Sequence, residues 1–163
     1  HLILTLNANK YMGEFFGSIY CWFEDFFGLE LAEYMWGASS PLSQNNSFIG
    51  IGFTMFGISL AVVLIYYYAV NHPRLNNWWG WLIFLGANAV VNFIVGWQWV
   101  LKDNYDNKMV GIDPSTNLQV PLNIGESEIL CFGVSNMILS ILAFIIFSFI
   151  FKWWSSNCSR APF

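Results

Sequence analysis

The chain has 163 residues, of which 56% are hydrophobic, 20% aromatic and only 10% charged, with a net charge of −4. So few charges cannot coat a soluble core that must enclose nine Trp and sixteen Phe, which excludes an ordinary soluble domain and points to the bilayer. The negative balance gives no basic footprint for nucleic acid, and Cys21, Cys131 and Cys158, without CxxC spacing, read as small apolar fillers rather than a disulfide framework or metal site.

Residues 1–47 form the first unit. The stretch from Tyr11 to Gly37 is long enough to span a membrane, but it contains Glu14, Glu24, Asp25, Glu30 and Glu33. Each carboxylate costs about 2.5 to 3.5 kcal/mol at the bilayer centre, so an ordinary span is disfavoured. At 100° per residue, Glu14, Gly17, Ser18, Cys21, Glu24, Asp25 and Gly28 share one face and the Phe, Tyr and Trp residues cover the rest. This predicts an amphipathic, aromatic-rich interfacial helix, with Glu14, Glu24 and Asp25 as an acidic vestibule on the outer side. The pattern loses register after Gly28, which predicts a bend or a second short helix ending near Gly37. The chain begins at His1 rather than Met, consistent with a removed leader that would put this segment outside. A cytoplasmic start would instead require residues 11–37 to cross, giving four spans.

Three segments within residues 48–154 meet the length test of roughly 20 mainly apolar residues: 48–70, 78–101 and 129–151. None holds Asp, Glu, Lys, Arg or His. Tyr66, Tyr67 and Tyr68 close the first, Trp78, Trp79, Trp81, Trp97 and Trp99 bracket the second, and Lys152, Trp153 and Trp154 close the third, as interfacial anchors do. No period-2 alternation suggests a barrel, so helices are required.

The connections set the orientation. The 71–77 turn carries Arg74, His72 and no acid, which places it in the cytoplasm together with the short 155–163 tail. The 102–128 loop holds five acids against two lysines and falls outside. Within it, two short apolar runs flank Asp113-Pro114-Ser115-Thr116-Asn117, predicting a small β-hairpin whose turn is preset by Pro114 and capped by Asp113. The run KDNYDN lacks the spacing and glycine of a calcium loop. Asn45-Asn46-Ser47 and Asn157-Cys158-Ser159 match the glycosylation triplet but fall on opposite sides, so at least one arises by chance. The sum is an all-α integral membrane protein: three transmembrane helices preceded by an amphipathic aromatic-rich interfacial helix, with an extramembrane β-hairpin between the second and third spans. It belongs in a plasma or other energy-transducing membrane.

Polar residues at mid-span raise the question of function. Asn88 and Asn92 are i,i+4 on the second span. Gly133, Asn136, Ser140 and Ala143 make a small and polar stripe on the third, and Gly50, Thr54, Gly57 and Ala61 a small-residue stripe suited to helix packing on the first. The plainer reading is packing within one subunit. The sharper reading is a water-filled path lined by Asn88, Asn92, Asn136 and Ser140 in an assembly of identical copies. No intramembrane charge serves as proton relay or substrate clamp, no histidine lies in a span, and no base stands ready to activate a serine, so transport, haem ligation and catalysis are all disfavoured, and no cofactor is implied. The sequence therefore favours a channel or pore-forming subunit in contact with lipid and copies of itself. The alternative is a non-catalytic structural or assembly subunit that meets other membrane proteins.

Overall fold

A computed structural model describes residues 2–37, 46–70, 75, 77–113 and 115–153, with side chains from residue 10 onward. Most of the 71–77 turn, the tail beyond Trp153, Pro114, and the triplet residues other than Asn46 and Ser47 lie outside the described residues. The elements run α1 (Leu2–Tyr20), a 3₁₀ turn (Cys21–Phe23), α2 (Glu24–Phe27), α3 (Leu29–Trp36), α4 (Ser47–Leu64) continued by a π turn (Ile65–Ala69), α5 (Trp78–Tyr105), β1 (Val110–Ile112), β2 (Gln119–Pro121) and α6 (Glu126–Lys152).

The chain has three helices long and apolar enough to cross a membrane, Ser47–Ala69, Trp78–Tyr105 and Glu126–Lys152. Their starts are set by local hydrogen bonds. Asn46 Oδ1 accepts from Phe48 N at 3.0 Å, and Asn77 Oδ1 accepts from Gly80 N at 3.0 Å, each satisfying an amide that the helix itself leaves open. Glu128 reaches back to accept from Gly125 N at 2.9 Å, and with Glu126 it puts negative charge at the positive end of α6. α6 begins three residues before its predicted apolar limit, and α5 begins at its predicted limit but runs on through Lys102–Tyr105. At 28 residues α5 is about 42 Å long, against a hydrocarbon core of about 30 Å.

The predicted β-hairpin is present: Val110 pairs with Pro121, Gly111 with Val120 and Ile112 with Gln119, antiparallel. Asp113 Oδ1 accepts from Ser115 N at 2.9 Å and Ser115 Oγ at 2.6 Å, and these bonds hold its carboxyl below the usual carboxylate range. Asn117, at φ 52°, closes the turn with an amide bond to the Asp113 carbonyl at 2.8 Å.

The helices α5 and α6 run antiparallel and meet at matched levels: Trp81 with Ser148 near one end, Asn88 with Ser140, and Asn92 with Asn136 toward the other. At the end remote from the β-hairpin, Val63, Tyr66, Tyr67, Trp81 and Phe144 form a small core. This corrects part of the boundary reading. Tyr66, Tyr67 and Trp81 are enclosed, while Tyr68, Trp78 and Trp79 remain exposed as anchors. The enclosed aromatics keep polar atoms at partners: Trp81 Nε1 donates to Ser148 Oγ at 3.3 Å and the Tyr66 hydroxyl to the Leu75 carbonyl at 3.3 Å.

The N-terminal segment departs from a single amphipathic helix. The helix breaks at Cys21–Phe23, turns again at Gly28 (φ 97°) and ends at Gly37 in the left-handed region (φ 87°), so the expected second short helix is α3. The segment forms a helical dip that enters at the β-hairpin end of the bundle, reaches about halfway along it at Tyr20 and Asn136, and returns. Gly13 lies level with Asn46, Ile19 and Trp22 reach Met55 and Leu139, and Gly28 returns to Glu128. Its aromatic face is accordingly divided: Phe16, Tyr20 and Phe27 are buried on the spans, whereas Phe15, Trp22 and Phe26 face outward. Tyr20 stacks between Phe48 (5.2 Å) and Phe132 (5.5 Å), and Phe27 meets Phe132 edge-on. Gly17, assigned to the polar face, instead lies under the Trp36 ring.

α1 packs against α4 at Gly52, where an added Cβ would run into the Phe16 ring. Gly52→Leu should therefore lift α1 off the bundle at a cost of about 1–3 kcal/mol, the usual range for overpacking. Limited proteolysis in detergent checks this: cleavage within residues 2–37 should accelerate while the spans stay protected.

Candidate functional site

The mid-span amides that the sequence singles out come together inside one chain. Asn88, Asn92, Asn136 and Ser140 are each 0% exposed. Asn88 Nδ2 donates to the Ser140 carbonyl at 3.0 Å, Asn92 Nδ2 to the Asn88 carbonyl at 3.0 Å and Asn88 Oδ1 at 3.1 Å, and Asn136 Nδ2 to the Asn92 carbonyl at 2.7 Å. Ser140 Oγ bonds its own helix at the Met137 carbonyl, 2.7 Å away. Asn136 Oδ1 accepts from the Tyr20 hydroxyl at 2.5 Å. The result is a polar ladder along the α5–α6 seam, closed at its upper end by a tyrosine from α1. Asn92 Oδ1 and Ser59 Oγ are buried acceptors without a protein partner.

Small residues make the seam possible. An added Cβ at Gly96 would fall 2.8 Å from Asn136 Nδ2, and one at Gly133 would fall 3.0 Å from Trp97 Cβ, so both glycines mark places where α5 and α6 approach closely. Ala143 is buried farther along α6, in the core cluster with Met55 and Leu139.

The stripe expected on the first span behaves differently. Gly50 lies under the Trp99 ring, with Cζ2 3.1 Å from the place its Cβ would occupy, and Thr54 Oγ1 bonds the Gly50 carbonyl of its own helix at 2.8 Å. Gly57 and Ala61 face outward, and nothing stands within 4 Å of a Cβ at Gly57. The packed face of α4 is Phe48, Ile51, Gly52, Met55, Ser59 and Val63. Within the chain the stripe is thus divided: Gly50 packs against Trp99 of α5, while Gly57 and Ala61 lie open.

The acidic residues are not brought together into a bowl. Glu14 and Asp25 are exposed on α1 and α2, and Glu24 is half-buried beside Cys21. Burial first, and then the Glu24 carboxylate, push the Cys21 thiol up, which leaves it a poor nucleophile. Asp103 and Asp106 hold Lys108 at 3.4 Å and 3.2 Å, so the KDNYDN carboxylates are engaged by a lysine.

Sequence reasoning missed Tyr20, Gly52, Gly96 and the Trp81–Ser148 bond. Gly96 was visible as the next step of four after Asn88 and Asn92; Tyr20 carried no local signal, because its partner is 116 residues away. No protein-family model, curated protein or solved structure matches this chain.

Two outcomes follow from this geometry. Asn136→Leu strands the Tyr20 hydroxyl in the core and should destabilise the fold by about 1–3 kcal/mol, whereas adding Tyr20→Phe should recover part of the loss; a double-mutant cycle of unfolding in detergent measures the coupling. Tyr34, whose hydroxyl lies 3.5 Å from Asp103 Oδ2, is pushed up to about 12 by burial and then by the Asp103 charge. The fold thus favours its neutral form, a contribution complete below pH 10 and lost as pH rises toward about 12. Protease protection of α3 should fall across that window, and Tyr34→Phe should shrink the step.

Proposed function

We propose that this chain is a multi-pass membrane protein with a structural, non-catalytic role, a subunit that assembles with other membrane proteins through the apolar surface its own fold leaves open. The observation that carries this reading is the enclosure of the span amides. Asn88, Asn92 and Asn136 are fully buried at one α5–α6 seam, which the Asn88 and Asn136 side-chain amides bridge. A path shared by copies of the chain would need such groups on the subunit exterior, facing an axis. The exterior of α5 and α6 instead presents Ile83, Val90, Val91, Ile94, Ile146 and Phe149. This enclosure supports the assembly role over the pore that the sequence favoured.

In this reading the ladder serves packing, at roughly 0.6 kcal/mol for each interhelical bond. Gly57 and Ala61 leave a flat strip on α4 where a partner helix can approach closely, and Phe15, Trp22 and Phe26 offer exposed rings on the N-terminal dip. The dip carries Glu14 and Asp25 exposed on its outward side. The loop charges support an orientation with the β-hairpin outside and the 71–77 turn in the cytoplasm.

Native mass spectrometry of the assembly extracted from its own membrane, with every co-purifying chain identified, tests this. The expected result is a single copy among unrelated membrane chains; a ring of identical 18.7 kDa chains would overturn it and reinstate the pore.

A further inference from the structure

The β-hairpin end of α5 carries a cleft of about 530 Å³ lined by Val95, Gln98, Trp99, Lys102, Asp103 and Lys108. Val95, Gln98, Trp99 and Lys102 fall at i, i+3, i+4 and i+7, one continuous stripe on the helix. Read toward the helix end, that stripe passes from an aliphatic side chain through an amide and an indole to an ammonium group. The same order is met along a phospholipid, from acyl chain through the ester region to the phosphate. The apolar part of α5 ends at Leu101, so Lys102 and Lys108 stand at headgroup level in the three-span reading.

The charges of the cleft are unevenly satisfied. Lys108 is held by Asp103 at 3.4 Å and Asp106 at 3.2 Å, and Asp103 also takes the Tyr34 hydroxyl. Asp106, four residues beyond Lys102 and so placed to pair with it, bonds Lys108 instead. Lys102 is left exposed, with no acidic partner among the described residues. Beside it the Trp99 ring is seated on α4 at Gly50, which fixes an indole wall to the cleft. An unpaired ammonium next to an anchored indole and a neutral amide makes a receptor for one anionic oxygen group with an apolar attachment.

We propose that this cleft binds the phosphodiester of a membrane phospholipid, with Lys102 as its principal cation, Gln98 and Lys108 as further donors, and the acyl chains lying along Trp99 and Val95. The proposal rests on the three-span reading. Lys102 supplies the charge-assisted hydrogen bonds and Trp99 the apolar wall, so phosphate recognition and membrane depth are set by the same helix turn.

The test uses the full chain, first checked for resistance to alkaline carbonate extraction. It is then exchanged into detergent with dioleoyl phosphatidylglycerol or dioleoyl phosphatidylethanolamine, and lipid adducts are counted by native mass spectrometry. The wild type should retain one phospholipid, Lys102→Gln should weaken retention about tenfold or more, and Lys102→Arg should keep it. Lys102 holds no protein partner, so the Gln variant leaves the fold intact, and a thermal melt verifies that. Unchanged retention in Lys102→Gln overturns the site. Displacement of the adduct by millimolar inorganic phosphate overturns the lipid as its source. Release of the wild type by carbonate would sink the three-span reading itself, an outcome distinct from either. Comparing the two lipids tells whether the headgroup beyond the phosphate matters: stronger retention of phosphatidylglycerol supports Lys102 acting on net charge, and equal retention supports recognition of the phosphodiester alone.

Discussion

An amide buried where water cannot reach must be answered at both its oxygen and its nitrogen, and Asn136 meets that demand with two different helices. Its nitrogen gives to the Asn92 carbonyl on α5 and its oxygen takes the Tyr20 hydroxyl from α1. Because each bond is directional, the pair fixes the rotation of α6 about its axis and the depth at which α1 docks. Gly96 is the steric condition for it, since any side chain there would occupy the space of the Asn136 amide. The rest of the seam follows in step, with Asn92 bonded to Asn88 and Asn88 to Ser140.

The same constraint explains why the N-terminal segment belongs to the core. Tyr20 cannot reach Asn136 unless α1 passes between the ends of α4 and α6, and its ring then stacks on Phe48 and Phe132. Phe16 seats in the notch at Gly52 and Phe27 on Phe132, so a large part of the aromatic load is used in holding the dip against the spans. The broken helix at Cys21–Phe23 and the positive φ of Gly28 let the chain turn back before it would pass the end of its apolar partners.

Most of the span amides are answered within the bundle, with Asn92 Oδ1 and Ser59 Oγ the buried acceptors left without a protein partner, and the helices' outward surface is largely apolar. That division links architecture to the proposed role. The exterior of the spans suits lipid and partner helices, and the cleft at Lys102 sits where the helix leaves the apolar layer. Of its two lysines, Lys108 is the one that Asp103 and Asp106 hold, and Lys102 has no acidic partner among the described residues.

The sequence by itself determined the three long apolar helices, the β-hairpin and its Asp113 turn, and the breaks at Gly28 and Gly37. Each depends on contacts within a few residues, or on apolar length alone, and such information is written locally. It also marked Asn88, Asn92, Asn136 and Ser140 as groups that must avoid lipid. Whether they would face a shared path or one another depended on the rotation of each helix, and a side chain's own neighbours do not encode that. Tertiary structure decided it through partners far apart in the chain: Tyr20 on Asn136, Phe16 on Gly52, and Trp99 on Gly50. The Gly50–Ala61 stripe shows the same limit from the other side. Small residues permit close approach on any face that carries them, but the packed face is the one whose large side chains find complementary notches, and complementarity exists only between surfaces already brought together.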